Sequence, residues 1–266
     1  MECDVMSSTL KAVRLERLPG HVALVTINRP DARNAVNAQV ATDLEAAVDV
    51  AEADPDIRVV VLTGEGPDAF CAGADLKEVS AGQGHRLSTE RGGFAGFVFR
   101  ERTKPWIAAI NGKALAGGAE IALACDLVVA GEHAAFGLPE VMRGLIAAAG
   151  GLFRLPRAIP RNVALELILT AGQLDAQRAF QLGLVNRLAS KAGLLDEALA
   201  LAAEIARNAP VAVRESLSIA SRANELTEDE LRELTRDAFA RVMASDDFKE
   251  GPRAFIEKRA PRWTGR

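Results

Sequence analysis

The chain has 266 residues, 49% of them apolar and 26% charged, with a formal net charge of -4; this is a globular composition with ample material for a core. The acidic balance and the lack of a long basic run argue against a nucleic-acid partner. The most apolar stretch, 121–130, is broken by Asp126 and too short to span a bilayer, so no membrane partner is expected.

The opening "MECDVMSSTL" lacks a charged-then-apolar export pattern, which predicts that the chain is not secreted. Cys3, Cys71 and Cys125 are odd in number and widely spaced, so neither a disulfide framework nor a CxxC metal site follows from them. His21, His85 and His133 show no HExxH or HxxxH spacing. No metal site is expected, and a cytoplasmic protein with free thiols is the reading.

"HVALVTINRP" (21–30) is rich in β-branched residues and stops at proline, which predicts a strand. Val40, Leu44, Ala47 and Val48 then recur at helical spacing until Pro55. "IRVVVLTGEG" (57–66) is a continuous apolar run closed by glycines, the pattern of a strand buried on both faces. Strand, helix, strand is the unit of a parallel sheet. Residues 80–100 mix glycine, polar residues and phenylalanine, and predict a mobile loop running into a helix. A short strand follows at 105–110, then a glycine-containing turn entering a helix near Gly117. "DLVVAG" and "AAFG" predict two more short strands. Beyond about residue 150 the pattern is mostly helical, with "NVALELILT", "DAQRAFQLG" and "LLDEALALAAEIARNAP". "TEDE" at 227–230 fits a capping box ahead of a final amphipathic helix. An α/β core over 1–200 and a helical region over 201–266 are expected. A helical tail unable to bury its own apolar stripe packs on the core or on another subunit, which favours a homo-oligomer.

Two segments, "AFCAGADLKE" (69–78) and "ALAGGAE" (114–120), place small residues where a helix or turn begins. Small side chains admit a ligand close to the backbone, and amides at a helix start have no intrahelical acceptor. Two such ends facing each other form a donor pair for a carbonyl oxygen that becomes negative; the plain alternative is that glycine and alanine only permit tight turns. Glu120 lies one turn into the helix that starts near Gly117, and Glu140 follows the proline of "GLPEV". Two such carboxylates beside a carbonyl pocket can divide acid and base work, unless each is instead paired with an arginine such as Arg143 or Arg154.

These segments, in order, resemble the crotonase superfamily, the enoyl-CoA hydratase and isomerase group. The resemblance rests on "NRPDARNAVN", "FCAGADLKE", "KPWIAAINGKALAGGAEIALACDLVVAGEHAAFGLPEV", "GLIAAAGGLFRLPRAIP", "AFQLGLVNRL" and "FKEGPRAFIEKR". It implies an α/β spiral of ββα turns with a helical C-terminal trimerisation region, assembled as a homotrimer or homohexamer. It implies oxyanion amides at Ala72 and Gly117 and catalytic carboxylates at Glu120 and Glu140. Coenzyme A contacts are implied at Ala32, Arg33, Ala72, Gly73, Ala74, Asp75 and Leu76, and at Phe255 and Lys258, the last two serving a neighbouring subunit. The implied substrate is an acyl-CoA thioester, with no permanently bound cofactor.

The chain departs from the family pattern in two places. Leu138 stands where many hydratases have glutamine, which is expected to make the surroundings of Glu140 more apolar and to favour its protonated form. Ala147 and Ala148 replace the proline and glycine of "GLIPGAGG" and narrow the space beside the acyl group. Phe94 and Phe97 are candidate pocket walls, or core residues. Within the resemblance, hydration is the expected reaction. A double-bond isomerase, a thioester hydrolase, and a non-catalytic acyl-CoA- or RNA-binding protein are the alternatives.

Overall fold

The apolar runs become strands in the computed structural model, which describes residues 8, 9 and 11–266; Cys3 lies outside these residues. The chain begins with β1 (Ser8–Thr9), β2 (Val13–Leu18), β3 (Val22–Ile27), α1 (Ala38–Ala53) and β4 (Val59–Gly64). Asn37 caps α1 by accepting the Val40 amide, which is why the helix starts after "NAVN".

One supersecondary unit then repeats. β4 leads into β5 (Ala69–Cys71) and α2 (Leu76–Ser80). After a ribbon of β6 (Ser88–Thr89) and β7 (Gly93–Phe94), β8 (Trp106–Ile110) leads into β9 (Lys113–Leu115) and α3 (Gly117–Ala124). β10 (Leu127–Gly131) leads into β11 (Ala135–Gly137) and a 3-10 turn, Pro139–Arg143. The remainder is α4 (Gly151–Ala158), α5 (Arg161–Thr170), β12 (Leu174–Asp175), α6 (Ala176–Gln181), β13 (Arg187–Ala189), α7 (Leu194–Ala206), α8 (Pro210–Ala220), α9 (Glu228–Ala244) and α10 (Asp246–Ile256). The first strand of each unit joins the sheet β1-β2-β3-β4-β8-β10-β13, and the second joins the sheet β12-β11-β9-β5. This is the α/β spiral of ββα units that the resemblance implies.

The large sheet is covered on both faces, as the run "VVVL" predicts. Val60 and Leu62 of β4, with Ala108 and Ile110 of β8, belong to the core that includes α1 and α3. Val59 and Val61, with Ile107 and Ala109, face α7 through Ala198 and Ala202. Successive side chains alternate between the two cores because a strand's period is two. In the small sheet β5, β9 and β11 run parallel. Their carboxyl ends therefore lie side by side, and ligands gather at such ends in parallel sheets.

Three elements differ from expectation. Residues 80–100, from the last residue of α2 onward, contain the β6–β7 ribbon, paired Ser88 to Phe94 and Thr89 to Gly93, and no further α-helix. Gly93, Ala95 and Gly96 all have positive φ, a backbone that cannot continue a right-handed helix. β9 lies inside what reads as a simple turn. The last helix is two: the buried Ser245 ends α9 and caps α10 by accepting the Phe248 amide. The capping box is present at Thr227 and Glu230. No described helix is long and apolar enough to cross a membrane.

Candidate active site

At the carboxyl ends of β5, β9 and β11 the chain leaves the small sheet three times in a row, and each exit contributes to one cavity. The cavity measures about 660 Å³ and is lined by Ala72 and Ala74 after β5, Ala116 and Gly117 after β9, and Glu140 after β11. Glu120 joins them from the first turn of α3.

The two small-residue segments are in direct contact. A β-carbon added to Gly73 would lie 2.9 Å from the Gly117 nitrogen and 3.0 Å from the Leu115 oxygen, and Gly73 has φ +89°. Only glycine fits there, because both the left-handed backbone and the lack of space exclude a side chain. Gly117 is the first residue of α3, so its amide has no intrahelical acceptor.

Ala72, where the resemblance implies an oxyanion amide, has no free N–H to offer. Its N–H donates to the Arg33 oxygen at 3.0 Å and is already used. The Ala74 amide has no acceptor among the described residues, and Ala74 lines the cavity. A sequence signal for this exists: Ala74 directly precedes Asp75, the N-cap of α2, whose side chain accepts the Lys77 amide at 3.1 Å. The free amide therefore falls at the end of the loop, not at its beginning.

Glu120 is 3% exposed. Its Oε1 accepts the Gly151 amide at 2.9 Å, at the start of α4, where helix amides favour a carboxylate. Burial nevertheless dominates and pushes its pKa up to about 7, with the Gly151 amide opposing and the Glu140 charge adding to the rise. A β-carbon on Gly151 would meet Leu138 Cδ1 at 2.9 Å, Ala147 Cβ at 3.0 Å and Glu120 Oε1 at 3.1 Å. The Leu138 side chain and Ala147 thus form an apolar wall against Gly151, the residue whose amide Glu120 accepts. Glu140 is also raised above the usual carboxylate range, by burial first. Its Oε2 is buried with no hydrogen-bond partner among the described residues. Neither glutamate forms an ion pair with Arg143 or Arg154 among the described residues.

Replacing Leu138 by Gln tests the role of this wall. The amide adds a donor near Glu120 and favours its charged form. If Glu120 must be ionised to work, activity falls as pH drops through about 7 in the native chain. In Leu138→Gln that acidic limb of kcat/KM is expected to move to lower pH by roughly one unit, with the plateau little changed. A limb that stays in place assigns the desolvation elsewhere.

Of the residues that the resemblance connects with coenzyme A, Ala32, Arg33, Ala72, Ala74 and Leu76 line the cavity. Gly73 and Asp75 do not; Gly73 packs on Gly117, and Asp75 is turned to Arg29 at 3.1 Å. Phe255, 85% exposed, and the exposed Lys258 lie at the end of α10 and take no part in this chain's cavity. Phe94 lines the cavity with its ring against Gly117. Phe97 is core, fully buried and edge-on to Trp106 at 5.1 Å. Phe99, Arg143, Leu145 and Ile146 also line the cavity. Sequence reasoning did not single out Phe99, which no motif marks, nor Leu145 and Ile146, although both belong to "GLIAAAGG".

Comparisons with known proteins identify the family. Residues 17–266 match the enoyl-CoA hydratase/isomerase family. A carnitinyl-CoA dehydratase of Proteus mirabilis is 39% identical over 252 residues, covering 93% of this chain and 96% of the relative. A mevalonyl-coenzyme A hydratase of Aspergillus fumigatus is 39% identical over 247 residues, with 91% of each covered. Among solved structures, an enoyl-CoA hydratase of Mycobacterium tuberculosis is similar with a TM-score of 0.92 and 46% identity, covering 96% of this chain and 99% of that one. A carnitinyl-CoA hydratase of Mycobacterium avium has a TM-score of 0.75 and 48% identity, with 97% and 100% covered. With a family match spanning nearly all of its length, the chain belongs to the enoyl-CoA hydratase/isomerase family.

Proposed function

We propose that the protein is a hydro-lyase that adds water reversibly across the 2,3 double bond of a 2-enoyl-CoA thioester. The observation that carries this reading is the meeting of two acceptor-free amides, the buried carboxylate of Glu120 and the half-buried one of Glu140 in one cavity. The thioester oxygen accepts from Ala74 and Gly117, which stabilises the enolate-like charge that develops as the β carbon is attacked. Glu120, ionised, takes a proton from the incoming water as its oxygen bonds to the β carbon. Glu140, protonated, delivers its proton to the α carbon. Each carboxylate then exchanges one proton with solvent, and the cycle closes. The unpartnered Oε2 of Glu140 supports the acid role, and the Gly151 amide that Glu120 accepts favours its ionised form as base. Arg33, Ala32 and Leu76 contact the coenzyme A portion.

The acyl group in this reading is apolar and uncharged. Phe94, Phe99, Leu145 and Ile146 supply the wall. The Arg154 guanidinium lies 5.3 Å from the Phe99 ring centroid, and Arg143 lines the same cavity. A carnitinyl group carries a quaternary ammonium, which would share the cavity with the Arg143 guanidinium; like-charge juxtaposition is unfavourable. Phe255, Ile256 and Phe239 are exposed on α9 and α10, which supports a homotrimer or homohexamer in which Phe255 and Lys258 reach a neighbour's cavity.

The test is to supply trans-2-octenoyl-CoA and crotonobetainyl-CoA and follow the conjugated thioester absorbance, with mass spectrometry for the gain of one water. Hydration of the octenoyl substrate, at kcat/KM about 10² above the betainyl one, is the expected result. Preference for the betainyl substrate overturns the acyl reading. Persistent absorbance with conversion of a 3-enoyl-CoA makes the protein an isomerase, and release of free thiol makes it a hydrolase.

A further inference from the structure

The Ala74 amide can grip an oxygen only if the loop after β5 is held still, and the bonds that hold it come from a distant segment. Residues 29–36 lie alongside 72–75 as a splint. Ala72 N–H donates to the Arg33 oxygen at 3.0 Å, Val36 N–H to the Gly73 oxygen at 2.8 Å, and Asp75 N–H to the Val36 oxygen at 2.8 Å. The amides at 72 and 75 and the carbonyl at 73 are therefore tied to this segment, and the Gly73 N–H turns to Cys71 Sγ at 3.4 Å, which leaves the amide at 74 as the donor without an acceptor.

The splint is itself under constraint. Arg33 and Asn34 both have positive φ, +52° and +56°, a conformation that non-glycine residues adopt only when their surroundings enforce it. Asn34 is fully buried; its side chain accepts the Arg29 amide at 3.0 Å and donates to the Glu65 and Ala69 oxygens at 2.9 and 2.8 Å. The Arg29 guanidinium closes the arrangement. It donates to the Ala35 oxygen at 2.6 Å and to Asp75 Oδ2 at 3.1 Å. Both partners of this ion pair are largely shielded, at 24% and 15% side-chain exposure. Asp75 Oδ1 meanwhile caps α2 through Lys77. One guanidinium thus joins the splint to the residue that immediately follows Ala74. A planar fork with several donors suits this double attachment, and an ammonium does not reproduce it.

We propose that Arg29 is a positioning residue for the oxyanion amide at Ala74, acting through Asp75 and the Ala35 carbonyl without touching the substrate. Arg29 does not line the cavity. The proposal rests on the reading of Ala74 as an oxyanion donor. It extends that reading by making alignment of the donor depend on a side chain 45 residues upstream. Because Ala32 and Arg33 of the same splint line the cavity, the segment that receives coenzyme A is also the one that fixes the donor.

The test uses a chromophoric ligand, 4-(dimethylamino)cinnamoyl-CoA, whose absorbance moves to longer wavelength when its carbonyl is polarised. The full-length protein is expected to produce this red shift on binding. In Arg29→Ala the shift should be largely lost and kcat at saturating enoyl-CoA should fall about 10²-fold, the scale of a displacement near 1 Å. Arg29→Lys should lie between the two. Asp75→Asn keeps a side chain able to cap α2 but removes the ion pair; it should weaken the shift in the same direction, which keeps the idea testable if Arg29→Ala does not fold. A native red shift retained in folded Arg29→Ala and Asp75→Asn overturns the positioning role. A native protein that binds the ligand with no red shift at all removes the oxyanion reading, and the proposal with it.

Discussion

Glu140→Gln is expected to hydrate trans-2-enoyl-CoA about 10³-fold more slowly than the native chain, and Glu120→Gln to show a loss of similar size, within the roughly 10²–10⁴ that acid–base help supplies. Gln at 140 has no titratable proton to give the α carbon. Gln at 120 can still accept the Gly151 amide through its carbonyl, so the contact at the start of α4 survives while the base is lost. Binding of acyl-CoA should change little, because the amides at 74 and 117 and the apolar wall are untouched. The measurement is kcat and KM from the decay of enoyl thioester absorbance, with thermal melts to confirm folding. Either variant retaining more than a tenth of native kcat removes that glutamate from the chemistry. Because the two carboxylates interact, the double variant should fall by far less than the product of the single losses.

Gly73→Ala is the second large effect. The new methyl would lie 2.9 Å from both the Ala116 β-carbon and the Gly117 nitrogen, so it drives the loops after β5 and β9 apart. Loss of one aligned donor costs on the order of 10²–10³ in kcat, and that range is expected here. The positive φ adds strain of about 1 kcal/mol, which Gly82→Ala separates from the wedge. Gly82 has φ +74° with nothing within 4 Å of an added β-carbon, so its variant shares the strain and should keep full activity. A Gly73→Ala protein with native kcat would place the thioester oxygen away from these two loops.

Much of this arrangement is legible in the sequence because it depends on local pattern. The buried run at 59–64, the helix begun by Asn37 and the box at Thr227 and Glu230 each follow from a few neighbouring residues. The ordered motifs carry the family resemblance, and the resemblance implies the spiral. What sequence does not reveal is long-range partnership. Ala72 and Ala74 look equivalent until the Arg33 carbonyl, 39 residues upstream of Ala72, takes one of the two amides. Leu138 lies two residues from Glu140, yet its tip packs toward Gly151 at the start of α4, the residue whose amide Glu120 accepts. β9 is only three residues long and exists through pairing with β5 and β11. Phe94 and Phe97 are three positions apart and similar in type, but the positive-φ turn at 95–96 sends one to the cavity and the other to the core.

The side-by-side exits of β5, β9 and β11 divide labour between successive coils of the chain. In the proposed reaction the first two coils hold the oxygen, while the third brings Glu140 on a short turn. A lineage can therefore rewrite the third coil, and with it the fate of the enolate, while the apparatus that makes an enolate accessible stays intact. Such a scaffold diversifies by exchanging one reagent at a time, and proteins built on it should differ most in chemistry where they differ least in architecture.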